Sequence, residues 1–266
     1  MSATSRLRDP GVAPPSTPSA PPRAPEPGSP AGRPRRRQGG GWRRRLSTVL
    51  ILAGILLLAD AGLTVVWQEP VSAVLAWLNQ DELADELSRL EALGPSADEL
   101  AALAALEGDR RRIAFLARAL ERRADQGEAV GRVALPSIDQ DLVVVEGSDT
   151  EALRKGPGVY DDTRFPGVGG TSAIAGHRTT YGAPFNEIDE LEKGDRVSVT
   201  MPYARFDYVV EGSKIVAPTA VEVIDDVGYD RLVLSACHPL YSAAQRIVVF
   251  AKLQRVTPRG AALRTG

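Results

Sequence analysis

Cysteine is almost absent from this chain: Cys237 is the single one among 266 residues. One thiol excludes an internal disulfide and leaves either an inert buried group or a reactive one. Histidine is nearly as scarce, with only His177 and His238. Two imidazoles and one thiol without close ligand spacing exclude the usual zinc arrangements, so no metal is expected. Gly-x-Gly-x-x-Gly and P-loop patterns are missing, and no cofactor is expected either. There is no basic excess, with 32 Lys and Arg against 34 Asp and Glu.

The charge is unevenly placed. Up to residue 45 there are ten arginines against Asp9 and Glu26, a net of +8, while the whole chain carries −2, so the remainder carries −10. An acidic body lacks the surface that neutralises phosphates, which argues against nucleic acid as a partner.

Residues 1–45 are rich in Pro, Arg, Ser and Gly and lack the apolar content for a core, so a disordered basic tail is expected there. Arg43, Arg44 and Arg45 precede an apolar run over 46–67, long enough for one bilayer-spanning helix. The arginines place its N-terminal side in the cytoplasm and the acidic body outside the cell membrane. Asp60 interrupts the run at a cost of about 3 kcal/mol on insertion scales, which the surrounding Leu, Ile and Val offset. Ala59-Asp60-Ala61 also fits a signal-peptide cleavage site. Because the run continues to Val66, an uncleaved anchor is the preferred reading. Over 70–125, Leu83, Leu87 and Leu90 share one helical face. Gly94-Pro95 ends that helix, and Ser96 with Glu99 forms a capping box for the next. Ile113, Leu116 and Leu120 continue an apolar stripe. The segment reads as a helical spacer lifting the body off the membrane, with a partner-binding helix as the other reading.

From Gly131 the texture becomes β-rich. Strands are expected at Arg132–Ile138, Leu142–Glu146, Thr171–Ala175, Arg196–Met201, Arg205–Val216, Val221–Ile224, Arg231–Cys237 and Arg246–Leu253. Glycine and proline turns separate them, with a helical turn around Pro184–Leu191. Eight short strands at this spacing predict a mainly β fold, a closed or nearly closed antiparallel barrel over 131–254, with a loose tail over 255–266.

If Arg231–Cys237 and Arg246–Leu253 pair as antiparallel neighbours, Cys237 and Arg246 lie side by side at the loop end. His177 also follows a strand, after Gly176, so thiol, imidazole and guanidinium can meet at one rim. The chemistry assigns their roles. A thiolate is a nucleophile that a nearby cation favours. Imidazole can give a proton to a leaving amine and take one from an attacking amine. Arginine cannot act as a base, so it stabilises developing negative charge. On an extended strand His238 points to the face opposite Cys237, which leaves the base role to His177.

These residues resemble a known family. Ala175-Gly176-His177-Arg178-Thr179-Thr180-Tyr181-Gly182-Ala183-Pro184-Phe185 is similar to the histidine segment of the sortases, in particular the actinobacterial class E group. Leu234-Ser235-Ala236-Cys237-His238-Pro239 with Arg246 resembles their cysteine and arginine segment. Glu146-Gly147-Ser148 and Lys155-Gly156-Pro157-Gly158 resemble the stretch before the histidine. The resemblance covers about Arg132 to Leu253 and implies an eight-stranded sortase-like barrel with His177, Cys237 and Arg246 catalytic. It implies cleavage of a Leu-Ala-x-Thr-Gly sorting signal near the C-terminus of exported proteins, between Thr and Gly, through a thioacyl enzyme. The acceptor is then a peptidoglycan precursor amine. Thr179, Tyr181, Ala236 and Tyr241 are the candidate lining of the signal pocket. One departure stands out: where sortases commonly have Thr-Leu-x-Thr-Cys, this chain has Val233-Leu234-Ser235-Ala236-Cys237, which alters the pocket but keeps the thiol. A cysteine hydrolase on the same frame, or a catalytically silent surface barrel, are the alternative readings.

Overall fold

The computed structural model describes residues 40–67 and 70–263, with side chains for 45–59 and 76–263. The chain divides into a unit over 1–53 and a unit over 54–266. Helix α1 runs Gly40–Trp67, and its apolar side chains from Leu46 to Leu58 are largely exposed. Among the described residues no helix is long and apolar enough to cross a membrane. The side chains of Asp60 and Trp67 lie outside the described residues, as do residues 1–39 of the expected disordered tail over 1–45, whose last residues, 40–45, are helical in α1.

In the second unit, helices α2 (Pro70–Leu93), α3 (Ala97–Ala104) and α4 (Asp109–Arg123) precede the sheet. The expected capping box is present. Ser96 Oγ accepts from the Glu99 amide, and Glu99 returns a carboxylate to the Ser96 amide, a device worth about 1 kcal/mol. The helices pack on the barrel and do not stand apart as a spacer. Leu83 and Leu87 of α2 are buried against Ala129, Val143, Val145 and Ala152. Ile113, Leu116, Ala117 and Leu120 of α4 join the main core. Burial of each such leucine stabilises by roughly 1.5–3 kcal/mol. Gln80 of α2 supplies a side-chain amide where a neighbouring strand would lie: its Nε2 donates to the Val143 carbonyl at 3.2 Å, and the Val143 amide donates to its Oε1 at 2.7 Å.

Eight strands follow: β1 (Ala129–Leu135), β2 (Gln140–Val145), β3 (Gly158–Val159), β4 (Thr171–Ala175), β5 (Arg196–Met201), β6 (Ala204–Val216), β7 (Arg231–His238) and β8 (Gln245–Pro258). They close as β1-β2-β3-β4-β7-β8-β6-β5. The barrel is mixed, and not wholly antiparallel as expected: β2 pairs β3 and β4 pairs β7 in parallel. Val221–Ile224 is a 3-10 turn, not a strand. Its alternating β-branched residues suit a strand, but its amides close locally, Val223 onto Ala220 and Asp225 onto Glu222. Val223 and Ile224 cover the outer face of the sheet at Ala173, Val233 and Val248. The eighth strand is instead β3, two residues too short to show any periodicity. A Cβ on Gly158 would run into the Gly147 carbonyl, so the chain passes here only as glycine. The helical turn expected near Pro184–Leu191 is present at Ile188–Glu190. β8 outlasts its expected end at Leu253 and stays paired with β6 to Pro258, and a 3-10 turn follows at Gly260–Leu263 where a loose tail was expected.

Candidate active site

Register alone aligns the three predicted groups. β4 and β7 pair in parallel from Thr171 with Arg231 through Ala175 with Ser235. The Gly176 amide extends that pairing by donating to the Ser235 carbonyl at 3.0 Å. The next step brings His177 level with Cys237. On the other flank, β7 and β8 pair Cys237 directly with Arg246. Thiol and guanidinium are thus cross-strand partners, and the imidazole follows two residues after the last β4 residue, past the end of the strand beside β7.

Side-chain alternation puts Cys237 and Arg246 on one face. Leu232, Leu234 and Ala236 belong to the inner core, whereas Val233 packs outward with Ala173 and Val248. Cys237 lies four residues after Val233, His177 four after Ala173, and Arg246 two before Val248. With a period of two, Cys237 and Arg246 share the outer face, and His177 stands past the end of β4, whose Ala173 faces the same way. Cys237 and His177 are half-buried. Ser235, on the same face, meets the Tyr160 hydroxyl at 2.8 Å.

His177 sits under a small canopy. Its ring lies 4.9 Å from that of Tyr181, tilted by 46°. Arg154, from α5 (Thr150–Lys155), donates through Nε to the Tyr181 hydroxyl at 3.2 Å, and its guanidinium carbon lies 5.6 Å from the ring centre. Burial and then the Arg154 charge hold the imidazole below its ordinary pKa. His177 Nε2 is buried with no hydrogen-bond partner among the described residues. Gly176 is needed because a Cβ there would come within 2.5 Å of the Phe185 ring. The Phe185 amide in turn donates to the His177 carbonyl at 3.0 Å, folding the loop back on the strand.

Arg246 is half-buried. Its Nη1 donates to the Ala243 and Gln245 carbonyls at 3.1 and 3.0 Å, and neither bond uses Nε or Nη2.

His238 stands apart from these groups, as expected. Its Nδ1 is 2.9 Å from Arg178 Nη1. A guanidinium can only donate, so the ring nitrogen accepts. Arg178 is 3% exposed. It pairs with Asp189 at 2.5 Å and donates to the Asn186 carbonyl, and the Asn186 side-chain amide donates back to the Arg178 carbonyl. This buried cation ties the histidine loop to the end of β7. Sequence reasoning missed Arg178 and Arg154. The signal for Arg178 was its place inside the histidine segment, one residue after His177. Nothing in the sequence pointed to Arg154.

The other candidates divide. Tyr181 covers His177 and is 42% exposed. Thr179 is half-buried on the same loop, and Tyr241 is exposed between β7 and β8. Ala236 is corrected: it is 2% exposed inside the barrel core, so it cannot line a pocket beside Cys237. A cavity of about 670 Å³ lies elsewhere, by Arg196, Arg205 and Arg255. The groups with the relevant chemistry lie on the open outer face.

A carboxylate cluster flanks the Tyr160 side of that face. Asp161 accepts from Gln126 and from the Ser148 hydroxyl. Burial, then Asp161 and Glu121, push Glu146 up to about 7, and its Oε2 is buried without a partner among the described residues.

A sortase domain model matches residues 133–254. Sortase D of Bacillus subtilis is 33% identical over 139 residues, covering 51% of this chain and 68% of that one. Sortase A of Bacillus anthracis is 30% identical over 126 residues, and the match spans 47% of this chain and 60% of that protein's length. The solved structure of sortase E from Streptomyces avermitilis is 35% identical, with 53% of this chain and 99% of that one covered at a TM-score of 0.46.

Proposed function

The chain belongs to the sortase family of cysteine transpeptidases, and from that premise we propose a class E enzyme, held in the bilayer by α1, that sorts exported proteins to the cell wall. The observation that carries this reading is the cross-strand pairing of Cys237 with Arg246, with His177 following the end of β4, the parallel neighbour of β7.

The steps follow from these three groups. With the imidazole neutral near pH 7, the Cys237 thiol gives its proton to His177 as Sγ attacks the threonine carbonyl of a Leu-Ala-x-Thr-Gly signal. Arg246 supplies N–H groups to the oxygen that becomes negative. The C–N bond to glycine then breaks, and the imidazolium proton leaves with the freed amine. A peptidoglycan precursor amine attacks the thioester, gives its extra proton to His177, and expels sulfur, which recovers its proton. The signal lies along the outer face, between the Tyr160 side and the Tyr181 canopy. Tyr181, Thr179 and Tyr241 border it.

The exposed apolar side chains of α1 from Leu46 onward and the arginines before them support a single-pass anchor, N-terminus in the cytoplasm and barrel outside. The test is mass spectrometry of the full chain incubated with a Leu-Ala-x-Thr-Gly peptide. A thioester adduct on Cys237, absent in Cys237→Ala and ligated on adding a diaminopimelate-like amine, is expected. Normal product from Cys237→Ala overturns the assignment. Hydrolysed product alone, unaffected by amine, overturns the transfer step.

A further inference from the structure

Helix α4 carries six arginines against Asp109 and Glu121, in a body that is otherwise acidic. Its apolar side is fully committed to the core through Ile113, Leu116, Ala117 and Leu120. Arg123 pairs with Glu99, and Arg112 donates to the Ala261 carbonyl. The side chains of Arg110, Arg111, Arg118 and Arg122 hold no hydrogen bond or ion pair among the described residues. All four line one groove of about 470 Å³, with half-buried Phe115 and Val168 between them.

The spacing turns these charges into a stripe. Arg111, Phe115, Arg118 and Arg122 fall at i, i+4, i+7 and i+11, one helical face. At 1.5 Å per residue, Arg111 and Arg122 stand about 16 Å apart along the axis. Four guanidiniums in one groove repel one another, and none of them is ion-paired among the described residues. Their complement is negative, and its extent exceeds a single phosphate group. A flat array of phosphates fits a stripe of this length.

We infer that α4 is a docking surface for the anionic phospholipid headgroups of the bilayer. This rests on the reading that α1 anchors the chain. Anchoring holds the domain within chain reach of one lipid surface at high effective concentration, so arginine contacts that are individually weak act together. Docking would turn one fixed side of the barrel toward the bilayer, where exported substrates emerge. A charge-driven contact of this kind weakens with salt.

The experiment is arginine footprinting with phenylglyoxal, read by mass spectrometry, on the full chain in lipid nanodiscs. One set contains phosphatidylglycerol and the other only phosphatidylcholine. Modification of Arg110, Arg111, Arg118 and Arg122 is expected to slow by about fivefold in the anionic discs and to recover in high salt. Arg196 and Arg205, exposed on other elements, serve as controls and keep one rate. Equal rates in the two lipids, or equal protection of the controls, overturn the proposal. So does protection by long-chain polyphosphate with none by anionic discs, which assigns the groove to a wall polymer. A chain that α1 fails to hold in either disc overturns the anchor reading alone. The same two lipids, offered to it as vesicles, then decide the α4 contact.

Discussion

Glu146 ties the stability of the barrel to pH. The carboxyl is half-buried at the end of β2, with Asp161 and Glu121 as like charges and one oxygen without a partner. Its pKa rises from 4.5 to about 7 on folding. A raised acid binds its proton more tightly in the folded state. Its favourable contribution is complete below pH 4.5 and is lost as pH rises toward 7. At about 1.36 kcal/mol per pH unit the interval has a ceiling of roughly 3.4 kcal/mol. Water reaches part of the side chain and screens it, which lowers the expected loss to about 1–2 kcal/mol. Glu146→Gln keeps the shape and removes the charge. Urea unfolding of the full chain, followed by circular dichroism at pH 5 and pH 8, measures the effect. The wild type is expected to lose about 1–2 kcal/mol more than Glu146→Gln between the two values. An identical pH dependence in both chains refutes the reasoning, because the burden would then sit on another group.

Three further outcomes follow from the same contacts. Arg154→Met removes the cation nearest the canopy and is expected to raise the His177 titration midpoint, while Arg154→Lys keeps it near the wild-type value. With two histidines in the chain, histidine-labelled NMR resolves this directly, and His238 acts as the internal reference. Arg178→Ala strips a buried cation from Asp189 and His238 and is expected to cost about 3–5 kcal/mol in urea unfolding, and a loss below 1 kcal/mol would count against the network. Gly182→Ala sets a Cβ against Ala76 at a backbone φ of +77°. It is expected to destabilise by about 1–3 kcal/mol and to speed hydrogen exchange in α2, whereas an unchanged α2 would mean the contact yields freely.

Legibility followed the length of the signal. β4 and β5 have the bounds expected from sequence because each is an apolar, β-branched run between clear turns. The pairing of Cys237 with Arg246 was readable because one loop joins two adjacent strands, so their register is local information. His177 was reached from its place after a strand and Gly176 and then from its motif. Its place beside Cys237 depends on a parallel pairing that no local pattern announces. β3 escaped because two residues show no periodicity, and Val221–Ile224 misled because β-branching marks strands only where a neighbour offers hydrogen bonds. Ala236 was named as lining from the family resemblance, yet it precedes Cys237 on one strand, and adjacent strand residues face opposite ways. The unexpected docking of α2 and α4 is tertiary: an apolar stripe declares that it will be buried, not against what.

The parallel pairing of β4 with β7 joins residues 60 positions apart in sequence, and β8 must arrive afterward to bring Arg246. A chain in which these strands have not yet paired therefore has its sulfur and its proton acceptor in separate places. The catalytic groups are therefore assembled by the closed cylinder and by no single segment of it.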